Sequence, residues 1–340
     1  MNDKWSSSPD KISALLPDYS LDDFILIPKE GTWPSSVHVF DADTIAALHA
    51  AEITGRPLLL RGDPGTGKSE TARAAAAAAG RPFVSVVIDG RTEPTDLKWR
   101  FDAVARLADA QVTKEDRALL EERAYLLPGP LWWAYAWKGA QTRLDEVNHE
   151  RKYKLVGPGT PPEKWNPESG RVVLLIDEVD KADPDLPNAM LEVLANLGFR
   201  EPYGGTEISC SEATRPLVII TTNEERELPH AFLRRCLVHR LELPDDPDEL
   251  INWLVQVGSR HQETLAWPGN CSDDVMKEAA GYVADARKRL ADTGRGRYLP
   301  GTSEFLDMIK VLAATPANKL NERLEQLKQL ALNKGGGRHR

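Results

Sequence analysis

Leu58-Leu59-Leu60-Arg61-Gly62-Asp63-Pro64-Gly65-Thr66-Gly67-Lys68-Ser69-Glu70 is the stretch that decides the fold. Its leucines predict a short strand covered on both faces, as in a parallel sheet. Gly62, four residues, then Gly67-Lys68-Ser69 follow the strand directly and match G-x-x-x-x-G-K-[ST]. Residues 69–79 are Ala-rich and predict a helix, with Gly80 as its stop. Glycines at 62, 65 and 67 allow backbone N–H groups to turn inward around phosphate oxygens, where a side chain would clash or force a poor φ. The helix then points its N-terminal dipole at the anion. Gly62, Asp63, Pro64, Gly65, Thr66, Gly67, Lys68, Ser69 and Glu70 are therefore the candidate nucleotide-binding residues. Lys68 is expected to reach the β- and γ-phosphates, and Ser69 to complete a Mg²⁺ shell.

Two further apolar strands end in polar residues suited to the same chemistry. Residues 172–176 (VVLLI) run straight into Asp177-Glu178. An acidic pair beside a buried strand is costly unless a cation or a water occupies it. In a P-loop protein the first acid, here Asp177, holds Mg²⁺, and the second, Glu178, polarises the attacking water. The strand 217–221 leads to Thr222-Asn223, whose amide is placed to orient that water. Arg234-Arg235-Cys236 follows, and a guanidinium there is a candidate arginine finger acting on a neighbouring subunit's γ-phosphate. Residues 83–88 and 237–241 complete five strand candidates that alternate with helices, the pattern of an α/β parallel sheet.

The 340 residues predict about two domains. Net charge is −9, with 41% hydrophobic and 28% charged residues, which excludes collagen-like, disulfide-dense and disordered classes. The longest apolar runs, 74–79 and 131–137, are too short to span a bilayer. The first residues, MNDKWSSSPD, have neither a secretory apolar core nor transit-peptide composition. Cys210, Cys236 and Cys271 lack metal-ligand spacing, so a reduced, cytoplasmic protein is expected. The acidic balance weighs against sequence-independent nucleic-acid binding. Acidity is concentrated in residues 1–55, which hold three basic and nine acidic side chains, while residues 319–340 hold six basic and two acidic. Proline-rich residues 1–36 read as an irregular arm, and 37–244 as the α/β core. Residues 245–332, with no strand run, read as a helical lid, and 333–340 as a flexible basic tail. Leu320, Leu324, Leu327 and Ala331 share one face of the final helix, which suits core packing better than a coiled coil.

The segments GDPGTGKS (62–69), IDEVDKADPDLPNAMLEVL (176–194) and TTNEERELPHAFLRRC (221–236) resemble those of an AAA+ ATPase, and within that class the MoxR-type family. Asp177, Glu178, Lys181, Ala182, Asn188, Ala189, Leu191 and Glu192 fall on that family's D-E-[IV]-N-[RK]-A and Q-N-A-L-L-E positions. Residues 228–235 fall on L-P-E-A-x-L-D-R, which makes Arg235 the finger and places Arg234 where the family has Asp. LLPGPL at 126–131 is similar to a further family element. The resemblance covers roughly residues 37–315. It implies a P-loop NTPase core with a five-stranded parallel sheet and a small all-α lid, hydrolysis of ATP with Mg²⁺, and a hexameric ring. It also implies remodelling of a protein client, or of a partner with a von Willebrand A-type domain.

Two departures accompany the resemblance. The family's sensor-2 arginine should fall at Ser303 or Phe305, where no arginine stands; Arg295 and Arg297 either substitute for it or only coat the surface. Residues 98–127 and 139–170 are longer than the family pattern and flank Trp132, Trp133, Tyr135 and Trp137. Four large aromatics within six residues point several ways on a helix, so the segment is either buried all round or a subunit or client contact. Trp99 and Phe101 are candidate client grips or, alternatively, core residues. Beside the client remodeller stand two other functions: a nucleotide-gated regulatory or defence switch with weak hydrolysis, and a DNA-linked motor or loader, which the acidic balance disfavours.

Overall fold

The computed structural model of the protein describes residues 24–112, 121–149, 154–265, 267, 271–292 and 299–332. Arg295, Arg297, the basic tail and residues 1–23 of the arm lie outside them. In chain order the elements are β1 (Ile25–Ile27), β2 (Ser36–His38), α1 (Ala42–Thr54), β3 (Leu58–Arg61), α2 (Lys68–Ala78), β4 (Phe83–Val87), β5 (Trp99–Phe101) and α3 (Ala103–Val112). After a 3₁₀ turn, Glu122–Tyr125, come β6 (Leu126–Pro128), α4 (Pro130–Tyr135), α5 (Trp137–His149) and β7 (Val173–Asp177). Then follow α6 (Asp185–Asn196), β8 (Gly198–Arg200), β9 (Glu207–Ser209), β10 (Leu217–Thr221), α7 (His230–Leu233) and β11 (Leu237–Arg240). The helices α8 (Pro247–Leu265), α9 (Asp273–Asp292), α10 (Thr302–Ala313) and α11 (Leu320–Leu332) complete the chain.

The central sheet has five parallel strands in the order β11-β3-β10-β7-β4. β7 and β10 are buried along their whole length, as their unbroken apolar sequences require. They pair in parallel with Leu217 opposite Val173 and Ile220 opposite Ile176. β11 lies at an edge and alternates between half-buried and exposed residues.

The chain divides into two compact units. Within the described residues, one comprises 46–59 and 75–239 and the other 24–45, 60–74 and 240–332. The core of the first gathers Leu174, Ile176, Ile220, Met190 and Phe232 with the aromatic segment. Trp132, Trp133, Tyr135 and Trp137 are only 3–7% exposed, so of the two readings of that segment the structure shows the buried one. Trp137 stacks edge-on between Trp133 and Trp165, at 5.1 and 5.3 Å. A Cβ on Gly157 would lie 2.8 Å from the Trp133 ring, so the loop carrying Gly157 lies directly on the indole.

Trp99 and Phe101 sit on β5, which pairs antiparallel with β6. They are half-buried against the β8–β9 ribbon, with Trp99 5.7 Å from Phe199 and Phe101 5.6 Å from Tyr203. Packing therefore engages both rings, which agrees with their reading as core residues.

The core of the second unit packs Leu254, Met276, Val283, Phe305, Ile309 and Leu324 among α8–α11. Leu324 and Leu327 are buried, so the last helix's stripe is core. The irregular arm expected over 1–36 needs correction from residue 25 onward, because β1 and β2 form an antiparallel pair there. The stretch between them is held by Arg73, whose guanidinium donates to Pro28 O and Pro34 O and stacks on Trp33. Proline supplies no N–H but leaves its carbonyl available, so a proline-rich segment is pinned through its acceptors.

Candidate functional site

The P-loop, residues 62–69, lies in the second unit. Gly62, Gly65 and Gly67 have φ of 138°, 80° and 92°, a region open to glycine. A Cβ on Gly62 would stand 2.4 Å from Leu241 O, so position 62 excludes a side chain on two counts. Lys68 is buried, and its ammonium donates to Gly62 O at 2.7 Å and Asp63 O at 2.9 Å. Thr66 Oγ1 donates to Asp63 O, and Thr71 donates through both N and Oγ1 to Gly67 O. A buried cation, a glycine cradle and a helix starting at Lys68 form a donor set that fits an anionic polyphosphate. The Glu70 carboxylate is committed elsewhere, accepting from Ser36 Oγ at 2.5 Å and Arg73 Nη1 at 2.8 Å.

Two lid residues of the same unit reach this loop. Ser303, one of the two sensor-2 positions, approaches Gly65 O at 3.4 Å, while Phe305 is fully buried in the helical core. Arg287 on α9 pairs with Asp63 Oδ2 at 2.9 Å and donates to Pro300 O at 3.2 Å. Sequence reasoning missed Arg287, because Arg287-Lys288-Arg289 on an amphipathic helix reads as an ordinary solvated face.

The acidic motif lies in the first unit. The β7–β10 register that places Ile220 beside Ile176 carries Thr221 to Asp177 one step further. Thr221 Oγ1 donates to Asp177 Oδ1 and accepts from the Glu178 N–H at 2.9 Å. Glu178 stands at φ 60°, a left-handed conformation that turns its side chain off the strand direction. One carboxylate oxygen accepts from Asn223 Nδ2 at 3.2 Å and the other from Lys181 Nζ at 2.7 Å. The Glu178 carboxylate raises the Lys181 pKa above that of an ordinary lysine.

Asn223 is itself anchored. The carboxylate of Asp180, 2% exposed, accepts from Asn223 N at 3.3 Å and Glu225 N at 2.9 Å. Glu178 and Asn223 were both expected from sequence and meet directly. Thr221, Asp180 and Lys181 were given no role there, although Thr221 is the last residue of a recognisable strand. Arg234 and Arg235 are exposed at the end of α7, and Arg235 Nη1 donates to Ala231 O at 3.3 Å.

Among the described residues, no group of three or more His, Cys, Asp and Glu side chains is arranged to hold a metal by itself. No described helix is long and apolar enough to cross a membrane.

Residues 57–156 match the family model described as AAA domain (dynein-related subfamily). The matched residues carry the P-loop and two strands, β3 and β4, of the five-stranded parallel sheet, so this part of the chain is similar to an ATP-binding AAA domain. No curated protein sequence matches the chain significantly. Among solved structures, a candidate ATPase of Cytophaga hutchinsonii ATCC 33406 is 14% identical with a TM-score of 0.36, over 86% of this chain and 80% of that one. NtrX of Brucella abortus, in complex with ATP, is 16% identical with a TM-score of 0.36, over 85% of this chain and 60% of NtrX. The chain thus spans less than two thirds of NtrX.

Proposed function

We propose that this protein is a MoxR-type AAA+ machine of the cytoplasm that couples ATP hydrolysis to remodelling of a protein client or a von Willebrand A-type partner. In this reading residues 37–244 are the ATPase core and 245–332 the lid. The insertions at 98–127 and 139–170 carry client specificity. Gly62 to Ser69 bind the nucleotide, with Lys68 on the β- and γ-phosphates, and Glu70 contributes through its main chain because its carboxylate is held by Ser36 and Arg73. Ser69 and Asp177 are the residues that would hold magnesium, which would supply charge neutralisation of the transferring group. Glu178 accepts the proton of the attacking water, and the Asn223 amide orients that water. Arg235 completes the site of the next copy in a ring, for which a hexamer is proposed. The acidic balance of the chain weighs against a nucleic-acid partner.

The observation that carries this reading is the pairing of Glu178 with Asn223, because it fixes a carboxylate and an amide side by side directly after buried strands. Glu178→Gln tests it: nucleotide binding is expected to persist while turnover falls by about 10²- to 10⁴-fold. Undiminished turnover would sink the assignment.

A second reading, a nucleotide-gated switch with slow hydrolysis, is favoured by one feature. The first turn of α10 carries Ser303, Glu304 and Phe305 and no guanidinium. Measuring ATP turnover of the purified protein without any partner separates the two, since brisk hydrolysis argues against the switch.

A further inference from the structure

Arg56, in the turn between α1 and β3, makes three hydrogen bonds to consecutive carbonyls of the α7–β11 connection. Its guanidinium donates to Arg234 O at 2.6 Å, Arg235 O at 3.2 Å and Cys236 O at 2.9 Å. The carbonyls of His230, Phe232 and Leu233 in the four-residue helix α7 are bonded by the N–H groups of Arg234, Arg235 and Cys236, and the carbonyls of 234–236 that follow are the ones Arg56 takes up. A planar fork of donors satisfies several at once, which an ammonium does not do equally well. One residue further on each side, Leu237 N donates to Pro57 O at 2.8 Å, so residues 56–57 grip 234–237 with four bonds.

The turn is shaped for this grip. Gly55 has φ +65°, and a Cβ there would lie 1.5 Å from Arg215 Nη1, which itself donates to Thr54 O at 3.4 Å. Arg56, Arg215, Arg234 and Arg235 line a cavity of about 360 Å³ together with Leu191, Leu194 and Ala195. Arg56 thus spends its donors on the main chain of 234–236, while the side chains of Arg234 and Arg235 stay exposed.

We propose that Arg56 is a positioning residue: it fixes the backbone of 234–236 and so aims the Arg235 guanidinium at the nucleotide phosphate of a neighbouring copy. This rests on the trans-acting reading of Arg235 given above. A finger works only when its charge is held where charge develops, and a displacement of about 1 Å can cost about 10²-fold in rate.

The test uses the full chain at assembling concentration. Turnover is measured for Arg56→Ala, Arg56→Gln and Arg235→Ala, alone and mixed with Glu178→Gln, whose own site is inactive but whose finger is intact. Binding of a fluorescent ATP analogue is measured in parallel. Both Arg56 variants are expected to lose about 10²-fold in kcat with analogue affinity unchanged. Mixing with Glu178→Gln should restore turnover, because the neighbour then supplies a correctly held finger. A defect confined to the variant's own fold would not be rescued in this way. If Arg235→Ala is inactive and rescued while the Arg56 variants stay active, or stay inactive after mixing, the positioning role is overturned. If Arg235→Ala itself keeps full turnover, or is inactive and not rescued, the trans-acting reading falls, and the role of Arg56 with it. Should Arg56→Ala fail to fold, Arg56→Gln, which keeps a donor at the turn, decides the outcome.

Discussion

A single hydroxyl at position 221 serves two acids: it donates to the Asp177 carboxylate and accepts the Glu178 N–H. Thr221→Val keeps the shape and removes both bonds, which leaves a buried carboxylate short of a donor and a main-chain N–H without its acceptor. Loss of partners of this kind costs about 1–3 kcal/mol. A thermal melt is expected to show a drop of several degrees, and an ATPase assay a loss of at least about tenfold, with Thr221→Ser close to the parent. Equal behaviour of the Val and Ser variants would remove the hydroxyl from the account. Lys68 poses the complementary case, because its ammonium is already bonded to the loop's own carbonyls. Those neutral acceptors hold a buried cation less strongly than phosphate oxygens do. Lys68→Ala should therefore fold normally and lose nucleotide binding, as titration with a fluorescent ATP analogue would show.

At the scale of elements, the P-loop depends on backbone geometry more than on side chains. Gly62→Ala introduces a Cβ at φ 138° and 2.4 Å from Leu241 O, so either the loop or the chain after β11 must move. Nucleotide affinity is expected to fall at least about tenfold, while far-ultraviolet circular dichroism stays near that of the parent. A variant that binds ATP normally would mean that the loop tolerates the shift.

This loop was fully legible in the sequence because its glycines, lysine and serine are contiguous and flanked by a strand and a helix. The strands β7 and β10 were legible for a similar reason, since unbroken apolar runs have few other places to go. The ribbons β1–β2, β5–β6 and β8–β9 were not, because three residues per strand give no usable period. Arg56 and Arg287 were also invisible: each meets its partner far along the chain, and nothing local distinguishes them from other surface arginines. The aromatic segment 132–137 was ambiguous for a third reason. Its cover comes partly from irregular chain around Gly157 and Trp165, which leaves no periodic trace.

At the scale of the whole molecule, the response of stability to pH follows from histidines that burial holds below their ordinary value, His38 and His261 together and His49 separately. Burial holds the His38 imidazole down at about 4, against a smaller opposing pull from Asp41, and His261 beside it adds to the depression. Burial also lowers His261, whose Nδ1 bonds Val257 O and whose Nε2 accepts from Val37 N, while Glu70 pulls upward. An imidazole with both nitrogens so engaged is the neutral tautomer, because a second proton would face the Val37 N–H. In the unfolded chain both rings take up protons near pH 6.5, whereas His38 in the folded chain does so only near 4. Between those values the unfolded state binds more protons, so stability must rise with pH there and decline as pH falls from 6.5 toward 4. Glu52, lowered by Arg81 and Arg171 against its desolvation, acts in the same direction but only below the ordinary carboxylate range. The melting temperature is therefore expected to be flat from pH 8 to 7 and to drop by roughly 5 °C by pH 5. In His38→Gln the drop should shrink but not vanish, because His261 and His49, both also lowered by burial, remain. An unchanged slope in that variant would show that His38 takes up its proton without penalty and would assign the acid sensitivity to other groups.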